Sequence, residues 1–203
     1  IDKIYSSEEE AFNEDNVIFD IAVPPQVLLS VVKKIPENSI CQLQKPMGNS
    51  MEEAKEIKEL IKSKNITACV NLQLKFSPMM IALQEAINKK MIGTITELEI
   101  SLSVGTPWHL WPFLETLDNV EVPLHSIHYI DWIRSVLGNP RSVHCKSIKH
   151  PNLPNLSDAR SSIILEYQDD VRCCLSINHT HDNSMHGMKH SHAYARVEGL
   201  NGA

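Results

Sequence analysis

Glycine and aromatic residues are scarce in this chain, with seven glycines and 5% Phe, Trp and Tyr among 203 residues. The glycines stand at positions 48, 93, 105, 138, 187, 199 and 202, and no two are separated by a single residue. A Gly-x-Gly-x-x-Gly turn, which cradles phosphates on backbone N–H groups, is therefore excluded within these residues. Basic residues are not in excess either: 19 Lys and Arg face 25 Asp and Glu, a formal charge of −6. A surface that tracks nucleic acid by neutralising phosphates needs the opposite balance, so no nucleic-acid partner is expected. No apolar run approaches the ~20 residues of a membrane helix, and no basic-then-apolar leader opens the chain. We expect no membrane partner and a cytoplasmic location. The five cysteines, at 41, 69, 145, 173 and 174, are odd in number, and four lie inside apolar runs. They are read as reduced, buried, small hydrophobes. Both ends, at Ile1 and at Gly202-Ala203, look cut.

What is present is an ordinary globular composition, 42% hydrophobic and 22% charged, with two successive patterns. The first alternates short apolar runs with helical spacing, as parallel strands joined by crossover helices do. Val17–Val23 predicts a strand ended by Pro24-Pro25, and Pro25 suits the first turn of a helix carrying Leu28, Val31, Val32 and Ile35. Ser39–Leu43 predicts a second strand, delivering Gln44-Lys45-Pro46 at its end. Ser50 followed by Glu53 forms a capping box for the next helix, and Thr67–Leu72 predicts the third strand. Ser77-Pro78 opens another helix, and from Ile95 the period changes. Leu98, Ile100, Leu102 and Val104 alternate with polar residues, so one sheet face is wetter. A helix is predicted from His125 to Leu137, stopped by Gly138 and Pro140, followed by strands at Ser142–Ser147, Ser161–Tyr167 and Val171–Asn178. The expected organisation is an α/β domain over 1–77 and an α+β domain with a mainly antiparallel open sheet over 78–203.

Ligands bind beyond the carboxyl ends of parallel strands, so Pro24-Pro25, Gln44-Lys45-Pro46 and Gln73-Leu74-Lys75 are expected to converge on one crevice. Lys45, held between a strand and a proline, suits presentation of an ammonium to a hydroxyl or carbonyl oxygen. On the helix, Ile127, Ile130, Ile133 and Leu137 suit the core, while His125, His128 and Asp131 are placed on another side. Asp131 would then hold His128 in one tautomer as a general acid/base.

The order of these pieces carries a resemblance. Pro24-Pro25, Gln44-Lys45-Pro46, Asn71-Leu72-Gln73-Leu74-Lys75-Phe76-Ser77-Pro78, His128 to Asp131, Leu137-Gly138-Asn139-Pro140 and Glu198-Gly199-Leu200-Asn201-Gly202-Ala203 follow one another. That sequence of motifs resembles the Gfo/Idh/MocA oxidoreductases. The resemblance implies a partial Rossmann domain and a second domain whose open sheet forms a homodimer or homotetramer interface. It implies hydride transfer between NAD or NADP and a sugar, polyol or related carbinol. Lys45 and His128 would be the catalytic residues, with Pro24, Pro25, Gln44, Pro46 and Gln73 at the nicotinamide end of the cofactor. Lys75, His125 and Asp131 would face substrate. Two departures stand out: Gln44 replaces the commoner Glu, and Leu124 occupies the place of the usual Asp, four residues before His128. Leu124 leaves open a second reading, a non-catalytic dinucleotide- or sugar-binding regulatory member.

Trp108, in Pro107-Trp108-His109-Leu110-Trp111-Pro112, offers an indole face to a sugar or a cover to the sheet; substrate contact is the expectation. His179, His181, His186, His190 and His192, with His150 upstream, invite a metal reading. No Cys or carboxylate completes a recognised ligand spacing, so these histidines are expected at a polar sheet edge or on a substrate-side surface, and no metal site is assigned.

Overall fold

The computed structural model describes residues 3–168, 171–181 and 192–203. Its internal contacts divide the chain into two compact units, Ile1–Asn71 and Leu72–Ala203. The second unit begins at Leu72, where the sequence places the boundary at Pro78, because the short 3-10 turn Gln73–Phe76 packs on a helix of that unit.

In the first unit, after helix α1 (Glu8–Phe12), three short strands run parallel in the order β1 (Ile18–Ile21), β2 (Ile40–Leu43) and β3 (Thr67–Val70). Crossovers α2 (Pro25–Lys34) and α3 (Met51–Ser63) link them. Pro25 takes the first turn of α2, where its missing N–H costs nothing. Ser50 caps α3 by accepting the Glu53 N–H, while the Glu53 carboxylate reaches back to the Asn49 N–H at 2.7 Å. Leu28, Val31, Val32, Ile35 and Ile57 pack on Ile21, Cys41 and Leu43, covering one face of the sheet. The other face is open: Ile18 is 69% exposed, and Cys69 is exposed with it. That corrects the expectation that Cys69 is buried, since the period-2 pleat turns it away from the helices.

In the second unit, α4 (Pro78–Asn88) leads into a five-stranded sheet ordered β5-β6-β7-β4-β8. Its strands are β4 (Ile95–Ser103), β5 (Ser142–Ile148), β6 (Arg160–Glu166), β7 (Arg172–Asn178) and β8 (His192–Gly199). All neighbours are antiparallel except β4 and β7. The alternation read from β4 holds: Leu98, Ile100 and Leu102 are buried and meet Cys173, Leu175 and Ile177 of β7. Met80 of α4 and Trp132 and Ile133 of α5 (Ile127–Leu137) close this core. The predicted helix start at His125 needs correction. A π-helical turn, Val122–Ser126, precedes α5, so the helical path begins three residues earlier and with a different pitch. No helix among the described residues is long and apolar enough to cross a membrane.

Candidate functional site

In the first unit, the strand ends carry the expected motif. Gln44, Lys45 and Pro46 follow β2, and the Gln44 N–H donates to the Ile21 carbonyl at the end of β1. The Lys45–Pro46 peptide is cis, and Pro25 and Pro46 are buried, whereas Pro24 is exposed. Burial holds the Lys45 ammonium below the ordinary lysine range, so it gives up its proton more readily than a solvated lysine.

The second unit gathers a denser set of polar side chains, and its topology explains where. Because β4 and β7 are parallel, the segments that follow them leave the sheet at the same end. The start of β6 lies there too, since Arg160 pairs with Asn178. Gly105 pairs with Thr180 beyond the strands, and a Cβ at Gly105 would stand 2.9 Å from the His181 carbonyl oxygen. Only glycine permits that approach.

Asp158 sits just before β6, 4% exposed, and its carboxylate accepts the N–H groups of Val120 (2.9 Å) and Glu121 (2.7 Å). These are among the orphan donors at the start of the helical path, so Asp158 caps it from across the fold. Glu121 is fully buried, and both its oxygens accept from the Ser126 hydroxyl, at 2.8 and 3.0 Å. The π-helical turn places residues five apart on one side, which is how Ser126 reaches Glu121. Burial pushes the Glu121 carboxyl above the usual carboxylate range, opposed by hydrogen bonds from Ser161 and Ser126.

His179 Nε2 lies 3.8 Å from Glu121 Oε1, and its Nδ1 shares a 2.9 Å hydrogen bond with the Thr106 hydroxyl. The His125 ring stacks on His179 with centroids 3.7 Å apart, and Trp108 meets both imidazoles edge-on. His125, His179 and Glu121 each bring a ligand atom within 4.8 Å of the other two.

Several expectations change here. His179 is not at a polar sheet edge: β7 ends at Asn178, and His179 is 3% exposed in the interior, its N–H donating to Ala159. His186 and His190 lie outside the described residues. Trp108 is buried, and its indole N–H donates to the His179 carbonyl at 3.1 Å, so it covers the sheet end as well as lining a cavity. His128 is buried, as a helix-start residue of α5. Asp131 forms an ion pair with Lys75 at 2.9 Å. Gln73 and Lys75 both belong to the second unit rather than to a strand end of the first. Sequence reasoning missed Glu121, Ser126 and Asp158. Glu121 and His125 stand four residues apart, a helical spacing that becomes visible only when the helical path starts before His125.

Residues 80–202 match the sequence model of the GFO/IDH/MocA C-terminal domain. The chain belongs to the Gfo/Idh/MocA family. It is 26% identical over 172 residues to an uncharacterised oxidoreductase of Schizosaccharomyces pombe, covering 81% of this chain and 46% of that protein. It superposes on an oxidoreductase from Agrobacterium radiobacter, solved with NAD+, L-tartaric acid and magnesium. That match has a TM-score of 0.76 and 18% identity, over 93% of this chain and 55% of the other. It likewise resembles GenD2 of gentamicin A biosynthesis, solved with NAD, at a TM-score of 0.77 and 15% identity, over 98% and 57% of the two chains. The chain thus spans about half the length of the relatives it matches.

Proposed function

We propose that this chain is part of an oxidoreductase that transfers a hydride between NAD or NADP and a sugar, polyol or related carbinol. The observation that carries the reading is Lys45, whose ammonium is desolvated at the carboxyl end of a parallel strand. The solved neighbours with NAD bound support the cofactor class, and the one holding L-tartaric acid supports a carbinol substrate.

The residues present suit the nicotinamide end of the cofactor. Pro24, Pro25, Gln44, Pro46 and Gln73 would border the nicotinamide ribose, while the glycine turn that binds pyrophosphate is not among these residues. When bound, the nicotinamide supplies or accepts the hydride. Lys45 orients the reacting oxygen and stabilises negative charge on it. His128 exchanges the hydroxyl proton, and its burial keeps bulk water from competing for that proton. Lys75, His125, Trp108 and Asp131 serve the substrate side. Assembly as a homodimer or homotetramer through the open face of the second-unit sheet belongs to the same proposal.

The test uses the full-length protein with a panel of polyols, sugars and hydroxy acids and both cofactors. His128→Asn should lower kcat by ~10²- to 10⁴-fold with little change in KM, because the proton is exchanged only in the transition state. Lys45→Met should damage both parameters. The alkaline limb of kcat/KM should lie below the ordinary lysine value, the direction in which burial moves Lys45. Near wild-type turnover in His128→Asn would remove the acid/base role.

One observation favours a non-catalytic, dinucleotide- or sugar-binding regulatory role. Leu124 is 8% exposed within an apolar cluster that includes Leu114, Leu117 and Leu156. A carboxylate at that place would be buried among aliphatic side chains at high cost, so the family's usual Asp is not simply exchangeable here. Cofactor binding without turnover across the panel would select this role.

A further inference from the structure

The second unit packs two imidazoles and a carboxylate against one another, and one of them, His125, is a residue that the proposed function places on the substrate side. We propose that Glu121, His125 and His179 form a binding site for a first-row divalent cation of zinc type. Two histidines and a glutamate are a donor set that Zn²⁺ accepts, with a fourth position left for water or a ligand. Zinc–nitrogen bonds of ~2.0–2.1 Å put tetrahedral ligand atoms ~3.3–3.4 Å apart. The three ligand atoms here lie within 4.8 Å of one another, and His179 Nε2 and Glu121 Oε1 are already 3.8 Å apart. The His179–Glu121 pair must close by ~0.5 Å and no pair by more than ~1.5 Å.

The surroundings match what holds a metal ligand in place. His179 needs its proton on Nδ1 for Nε2 to coordinate, and the Thr106 hydroxyl stands 2.9 Å from Nδ1 to accept it. Glu121 is steered by the Ser126 hydroxyl, itself 3.3 Å from the Ser161 hydroxyl. His125 is the adjustable ligand. Its ring is stacked on His179 at an interplanar angle of 24°, a geometry in which no ion lies in both ring planes. It is half-buried, so loading turns it out of the stack. Of the three ligands His179 lines a cavity of about 310 Å³ bounded by Thr106, Trp108, His150 and Leu153, and entry would be from that side. Such a site shares His125 with the substrate side of the hydride-transfer reading, and its test reads metal binding rather than turnover, so the two can fail separately.

The experiment starts from the purified chain, stripped with chelator and dialysed, and titrates it with Zn²⁺ by calorimetry. Co²⁺ absorption serves as a second probe. The expected result is one equivalent bound, with a rise in melting temperature and a change in tryptophan emission, since Trp108 lies 5.5 Å from His125 and 6.0 Å from His179. His125→Gln should weaken binding by at least ~10-fold, and Thr106→Val, which touches no metal, by ~10- to 100-fold. Circular dichroism on each variant confirms that it is folded. His125→Gln also covers the case in which Glu121→Gln fails to fold, because His125 is the less buried residue. Absence of one-equivalent binding would overturn the proposal. So would binding that survives His125→Gln and Thr106→Val but is lost on replacing His186 and His190, since the ion would then belong to that histidine-rich segment.

Discussion

The two units differ in what they bury. Among the described residues, the first has an apolar interior built from Ile21, Leu28, Val31, Val32, Ile35, Cys41, Leu43, Ile57 and Ile66. The buried polar side chains, Glu121, Ser126, His128, Asp158, Ser161 and His179, all belong to the second. Burying a carboxylate or imidazole is unfavourable unless hydrogen bonds replace lost water, so each such group needs a partner fixed by the fold. The first unit thus keeps its described interior apolar and carries Gln44 and Lys45 beyond the end of β2. The second invests folding free energy in a polar interior that a purely structural sheet would not require.

That contrast can be broken by substitutions in each unit. The largest stability effect is expected from Leu28→Ala, which empties a 1%-exposed site beneath the first sheet. A loss of ~2–5 kcal/mol is typical for such a truncation. Leu175→Ala, 2% exposed in the other core, should cost a similar amount, so apolar truncation should not separate the units. Polar truncation should. Asp158→Ala leaves the Val120 and Glu121 N–H groups without their acceptor, at about 1–3 kcal/mol in all. Gln42→Ala, on the open face of the first sheet, should stay within about 0.5 kcal/mol of wild type. Chemical denaturation of the whole chain reads all four; equal losses for Asp158→Ala and Gln42→Ala would erase the distinction.

Alkaline pH should separate the units further. Burial, reinforced by Cys174, pushes the Cys173 thiol up to about 12, and burial raises Tyr167 to about 12 as well. Both belong to the second unit. The folded chain keeps these protons where the unfolded chain releases them. Their contribution is therefore complete below the ordinary thiol value of 9.0 and is lost as pH rises towards about 12. Melting curves from neutral to alkaline pH should show this decline, and Cys173→Ala should flatten it above pH 9.0. Cys41 is raised in the same direction without a comparable value, so Cys41→Ala should flatten it less.

The parts of this molecule legible in the sequence are those where local pattern and burial agree. The alternation in β4, the Ser50 cap and the strand end at Lys45 each follow from neighbouring residues. The polar interior does not. Asp158 caps a segment 37 and 38 residues away, and Thr106 orients His179 from 73 residues away. No periodicity encodes those separations, because the parallel β4–β7 pairing creates them. Reading His125 as the first residue of an α-helix also hid its four-residue spacing from Glu121, and the contact of Ser126 with Glu121 depends on the wider π turn.

The smallest expected effect concerns Lys75 and Asp131, residues that the sequence assigned to substrate and the structure pairs with each other at 2.9 Å. Their side chains are 33% and 25% exposed, so water screens the pair and its Coulomb gain is offset by the ordering of a long lysine. A double-mutant cycle with Lys75→Met and Asp131→Asn should give a coupling of about 1 kcal/mol or less. Added salt should reduce it further, because a partly exposed pair is open to counterions. The pair also links the Gln73–Phe76 turn to α5, so its small energy bears on where the second unit begins. If Leu72 onward belongs to that unit through packing, the double variant should melt as one transition close to wild type. A coupling of several kcal/mol would instead make the ion pair the element that holds the turn in place. The same variants in the full-length protein would separate roles: a raised KM at unchanged stability would return Lys75 and Asp131 to the substrate.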